Sequence, residues 1–149
     1  MPLGAMSLVE TTLVNTLAGI ARAAELVAEV ARAHQLPRDV ASHMCVALDE
    51  VLSNIVKYGY ADDAAHQISL RLSVADGMLI AEVEDDARPF DPLSVPAPNL
   101  DVPFGERRVG GLGVHFVRKL MSEVAYSRVG GRNRLVMKKR MESGKEGMQ

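Results

Sequence analysis

The chain predicts an α+β fold: a two-layer sandwich with about three helices on one face of a mostly antiparallel, mixed sheet. Three observations carry that expectation. Strand-like and helix-like segments follow one another as strand, two helices, two strands, a long aperiodic stretch, a helix and two strands. Two of the strand pairs flank short glycine turns, Ala75-Asp76-Gly77 and Gly130-Gly131, as hairpins do. The helical stretches carry their apolar residues on one stripe, which suits a layer laid against a sheet.

Ser7 to Thr16 mixes Leu8, Thr11, Thr12, Leu13 and Val14, a strand composition. Leu17 to Gln35 is alanine-rich, with Ile20, Ala24, Val27 and Ala31 at helical spacing. Leu36-Pro37 breaks that helix, and Pro37 is placed to start the next. The second helix runs to about Tyr58, with Leu48, Val51, Leu52 and Ile55 on its stripe and Gly59 as terminator. Ile68, Leu70, Leu72 and Val74 alternate with polar residues, and Met78 to Glu84 returns as the antiparallel partner. Pro89 to Val109 has no period and reads as a functional loop or lid. Val114, Val117, Leu120 and Met121 mark a third helix from Gly113 to Met121. Glu123–Val129 and Arg132–Lys138 then form the last hairpin.

The 149 residues are expected to form one domain, with 1–6 and 141–149 as flexible tails. A net charge of −2 offers no basic surface for nucleic acid. No apolar run approaches the ~20 residues of a membrane span, so a cytoplasmic protein is expected. The single cysteine, Cys45, excludes an internal disulfide framework and is expected to be a small core residue. The four histidines (34, 43, 66 and 115) are scattered and suggest surface or packing roles.

Three short boxes carry the chemistry. Glu50 and Asn54 are four apart on one helix and share a face, turned from the apolar stripe. A carboxylate there can take a proton or orient a nucleophile, and the Asn54 amide oxygen suits Mg²⁺. The same pair also describes a plain solvated helix face. Asp85 ends a strand, where a carboxylate can accept from an exocyclic amine such as that of adenine; it also suits a simple strand stop, with Asp86, Asp91, Pro89 and Pro92 as turn residues. Gly110-Gly111-Leu112-Gly113 before a helix lets backbone N–H groups approach phosphate, with the helix dipole behind them, or else serves as a lid hinge. Arg107 and Arg108 upstream, and Lys57 near Asn54, are candidate phosphate contacts. No P-loop and no protein-kinase glycine loop with its H-R-D segment is present.

In this order the boxes resemble those of the anti-sigma-factor serine/threonine kinases of partner-switching systems, members of the GHKL (Bergerat-fold) superfamily. Ala47 to Ile55 resembles the N box, Asp85 to Pro92 the first G box, and Gly110 to Gly113 the second, over a likeness running from about Leu13 to Arg140. The resemblance implies that Glu50 is the base for an acceptor serine, that Asn54 holds Mg²⁺ and that Asp85 binds the adenine amino group. It also implies that Gly110, Gly111, Leu112 and Gly113 cradle the phosphates of ATP. Arg107 or Arg108 would sit in a lid over about 92–109, and Ala87 and Phe90 would line the site with the first G box. The implied partners are a STAS-domain antagonist protein as substrate and a sigma factor as its rival, with the kinase itself a homodimer. One position departs: the first G box usually reads Asp-x-Gly, and Ala87 replaces the glycine. If the backbone there takes a positive φ, or the ligand passes within reach of the Cβ, alanine costs about 1 kcal/mol or more. That departure, with the expected lack of a fused effector domain, motivates the alternative, a non-catalytic, nucleotide-gated module that sequesters a partner.

Overall fold

A computed structural model describes residues 7–94 and 111–141 of the chain. The strands are β1 (Ser7–Val14), β2 (Gln67–Ala75), β3 (Met78–Asp85), β4 (Glu123–Val129) and β5 (Arg132–Arg140). The helices are α1 (Leu17–His34), α2 (Arg38–Tyr58) and α3 (Gly111–Leu120), with one short 3-10 turn at Pro92–Ser94. The strands form one sheet in the order β1-β2-β3-β5-β4. The sheet, expected to be mixed, is antiparallel at every described pairing.

Alternation along each strand separates two faces. On the inner face, Leu70 pairs with Val83, Val83 with Leu135, and Leu135 with Tyr126, a continuous row across four strands. Leu72, Ala81, Met137 and Val124 form the next row. Each fully buried leucine in such a row contributes about 1.5–3 kcal/mol of hydrophobic stabilisation. The outer face carries charge instead: Arg71 reaches Glu10 at 2.8 Å and Glu82 at 3.8 Å, Arg134 also pairs with Glu82, and Arg132 meets Glu84 at 3.2 Å. Both hairpins turn on left-handed residues, Asp76 (φ 55°) with Gly77 (φ 73°) and Gly130 (φ 59°) with Gly131 (φ 78°), as two-residue primed turns require.

The helices cover the inner face. In α1 the buried side chains are Ala23, Leu26, Val27 and Val30, whereas Ala24 is exposed and Ile20 and Ala31 are half-buried. The expected stripe is therefore rotated by about one residue, since alanines all around this helix leave its phase weakly specified. Thr16 caps α1 by accepting the Gly19 N–H at 3.3 Å, and Gln35 ends it in the left-handed conformation. In α2 the core residues are Val40, Met44, Ala47, Leu48 and Leu52. Gly59 ends α2 at φ −77°, so it is not a left-handed terminator; its reason lies elsewhere, below. In α3, which packs against α2, Val117 is buried, as is Met121 just beyond its end. Cys45 is half-buried, and burial pushes its thiol up. Met141, expected in the tail, donates its N–H to Gly77 O at 2.9 Å and packs against the core. No helix among the described residues is long and apolar enough to cross a membrane.

Candidate functional site

The inner face changes chemistry at one end. Beyond the Val83–Leu135–Tyr126 row, the pleat brings Asp85, Asn133 and Arg128 side by side, since Asp85 pairs with Asn133 and Asn133 with Arg128. Asp85 is only 3% exposed. Its Oδ1 accepts from the Ala87 N–H at 3.0 Å and from Asn133 Nδ2 at 2.9 Å. Burial raises the Asp85 carboxyl above the usual carboxylate range; the bonds from Asn133 and Ala87 work against that rise, and the Asp86 charge adds to it.

The turn after β3 is held on all sides. Asn133 Nδ2 also reaches Ala87 O at 3.3 Å and Arg88 O at 2.9 Å, while Arg128 Nη1 donates to Ala87 O at 2.9 Å. The Arg88 N–H donates to Gly59 O at 3.1 Å, which ties the turn to the C-terminal end of α2. A Cβ on Gly59 would stand 2.9 Å from the Ala87 Cβ and 2.6 Å from Ile55 O, so only glycine lets the helix end approach this closely. Ala87 is buried and is not among the described residues with positive φ. The strain expected of alanine in the first G box is therefore absent: its methyl group is turned into the space that Gly59 leaves.

A second clasp comes from the loop between α2 and β2. Tyr60 Oη donates to Asp86 Oδ1 at 2.7 Å, and its ring stacks on His66 with centroids 3.8 Å apart. His66 Nε2 lies 2.7 Å from Asp62 Oδ1. Burial, then the bond to Asp86, pushes the Tyr60 hydroxyl well above its ordinary value, and that same bond holds Asp86 below the carboxylate range.

Glu50 and Asn54 are both half-buried on α2, neither in the core nor fully solvated, and Lys57 is exposed one turn further on. At 1.5 Å per residue, Asn54 lies about 7.5 Å and Glu50 about 13.5 Å along the axis from Gly59, the point where the Asp85–Arg88 turn is tied. No hydrogen bond among the described residues joins Glu50 or Asn54 to Asp85. Phe90 is 47% exposed, its N–H 3.4 Å from Asn133 Oδ1. Gly111, Leu112 and Gly113 open α3, two residues earlier than expected, which sets the helix N-terminus at the second G box. Arg107, Arg108 and Gly110 lie outside the described residues, as does most of the expected lid. The described residues contain no group of three or more His, Cys, Asp or Glu that could hold a metal. Sequence reading missed Asn133, Arg128, Tyr60 and the packing role of Gly59. The one available signal was Asn133 itself, a polar residue in phase with the inward Leu135 and Met137.

A helical layer on an antiparallel sheet, with a buried strand-end aspartate beside a turn tied to the end of the second helix, defines an α+β domain with a polar site at one rim of its sheet. The chain belongs to the histidine kinase-like ATPase domain family, whose model matches residues 13–139. Among solved structures, the chain is similar to the RsbU and RsbW domains of Rv1364c from Mycobacterium tuberculosis, with a TM-score of 0.65 and 17% identity over 91% of this chain and 32% of that one. It is similar to the histidine kinase domain of the Erythrobacter litoralis EL346 blue-light activated histidine kinase, with a TM-score of 0.55 and 22% identity over 87% of this chain and 62% of that one. A further structure of the EL346 kinase gives 0.56 and 21% over 87% and 42%. These are likenesses of fold, and the chain spans about a third of the first chain and under two thirds of the others. A comparison with curated proteins finds no match.

Proposed function

We propose that the chain is an ATP-dependent protein serine/threonine kinase of the anti-sigma-factor type, one domain acting in the cytoplasm as a homodimer, that phosphorylates a STAS-domain antagonist and answers to a sigma factor in partner switching. The observation that carries this reading is the tie between the end of α2 and the Asp85–Arg88 turn. It sets the buried carboxylate at one end of a helix whose face bears Asn54 and then Glu50, so a base read at Asp85 leaves the phosphates running along α2 toward Glu50. Membership of the histidine kinase-like ATPase family and the fold likeness to a chain with an RsbW domain support it.

In this reading Asp85 accepts a hydrogen bond from the adenine amine. The backbone N–H groups at the start of α3, with Gly110 before them, face the phosphates, where the helix dipole favours negative charge. The amide oxygen of Asn54 is a hard, neutral donor of the kind that suits Mg²⁺ alongside phosphate oxygens, and the ion when bound neutralises charge on the transferring group. Glu50 takes the proton of the acceptor serine. Arg107, Arg108 and Lys57 are the candidate cations for the terminal phosphate. The non-catalytic alternative, a module that sequesters a partner, loses one of its supports, since Ala87 carries no positive-φ strain.

The test is phosphotransfer from labelled ATP with Mg²⁺ to a serine-bearing STAS-domain protein. Glu50→Gln is expected to cut transfer by about 10²–10⁴-fold while leaving ATP affinity by calorimetry unchanged. Transfer that survives the substitution removes Glu50 from its role, and no heat at millimolar ATP defeats the nucleotide reading.

A further inference from the structure

Asn133 is 7% exposed and stands at the centre of the polar end of the sheet. Its Oδ1 faces three donors: Tyr126 Oη at 2.5 Å, Arg128 Nη1 at 3.1 Å and the Phe90 N–H at 3.4 Å. Its Nδ2 faces three acceptors: Asp85 Oδ1 and Arg88 O at 2.9 Å and Ala87 O at 3.3 Å. The guanidinium and the peptide N–H can only donate, and the two carbonyls can only accept, so the amide has one possible orientation. A primary amide makes at most four strong hydrogen bonds, two given and two received. Six neighbours saturate it and leave no capacity for a ligand.

This amide joins three separate stretches of chain. Asp85, Ala87, Arg88 and Phe90 belong to the end of β3 and the turn beyond it, Tyr126 and Arg128 to β4, and Asn133 itself to β5. Both described hydrogen bonds of the Asp85 side chain fall on Oδ1, one from the turn and one from Asn133. The Asn133 amide therefore fixes the rotation of the carboxylate together with the Ala87 N–H, and by itself ties that carboxylate to the path of the backbone leaving it. We propose that Asn133 is a positioning residue for nucleotide recognition, holding the Asp85 carboxylate and the Asp85–Phe90 turn in the one arrangement that discriminates an exocyclic amine on the base from a carbonyl. This rests on the reading of Asp85 as the base-contacting carboxylate. Asn133 itself does not touch the nucleotide.

The experiment measures displacement of a fluorescent ATP analogue by ATP and by GTP, from pH 5 to 8.5, for the wild-type chain, Asn133→Leu and Asn133→Asp, with thermal melting to confirm folding. The wild type is expected to prefer ATP. In Asn133→Leu only the Ala87 N–H is left to hold the carboxylate, so ATP affinity falls about tenfold while the weak GTP affinity holds, and the preference collapses. Asn133→Asp keeps the acceptor half facing Tyr126, Arg128 and Phe90, but sets a second carboxylate against Asp85. Its ATP-binding profile is expected to move about one pH unit upward, because two adjacent carboxylates resist joint ionisation. This variant carries the test if the leucine variant does not fold. Equal losses of ATP and GTP with an unmoved pH profile would overturn the proposal and leave Asn133 a packing residue. A wild-type chain that binds both nucleotides alike overturns the reading of Asp85, and this proposal with it.

Discussion

Asp85 ends β3 almost wholly out of water, and the sign of its titration follows from that burial. A carboxyl raised in the folded state binds its proton more readily than in the unfolded chain, so lowering the pH through that interval stabilises the fold. Ligand binding runs the other way, since a base amine needs the ionised acceptor. ATP affinity is therefore expected to decline, as pH falls, before the ordinary carboxylate value of about 3.9 is reached. The Asp86 charge contributes to the rise, whereas an amide oxygen at that position still accepts from Tyr60. Asp86→Asn should accordingly move the decline to lower pH, as isothermal titration across a pH series will register; an upward move would contradict the assignment. The position of Asp85 at a strand end was legible in the sequence because the apolar alternation stops there. Asn133 was not, because its carboxylate partner lies 48 residues away and an inward polar residue reads only as a flaw in alternation.

The end of α2 shows how a glycine can be needed for space rather than for backbone conformation. Gly59 has an ordinary helical φ, yet a methyl group there would meet Ile55 O and the Ala87 methyl. Gly59→Ala is expected to lower stability by about 1–3 kcal/mol, the usual range for overpacking. Adding Ala87→Gly should recover only part of that, because the backbone oxygen remains in the way; urea denaturation of the single and double variants measures both. Hairpins were legible because paired left-handed residues need Asp-Gly or Gly-Gly. The phase of α1 was not, because an alanine-rich helix presents no dominant stripe until leucine and valine find a sheet to meet.

Across the whole sheet, the two faces differ in what they contribute. Leu72 is fully buried between helix layer and strands, and Leu72→Ala is expected to cost about 2–5 kcal/mol. Arg71, its neighbour on the outer face, bridges Glu10 and Glu82 with 43% of its side chain exposed. Arg71→Ala should cost less than about 1 kcal/mol, and less still in high salt. Guanidinium denaturation of the leucine variant and urea denaturation of the arginine variant, with and without added salt, compare the two. This layering was legible from period-two alternation, but which rim of the sheet held the polar residues was not, since cross-strand register is set by pairing rather than by local sequence. The pairing of β3 with β5 also bears on how such a chain can diversify. Asp85 and Asn133 are brought together by the backbone ladder although residues 86 to 132, β4 among them, lie between them in the chain. Doubling the length of a flexible insert in such a connection adds only about 0.6 kcal/mol of closure entropy. Sequence change that leaves the β3–β5 ladder intact would therefore keep the carboxylate and its amide together, so the rest of the chain between them can diversify around a constant pair.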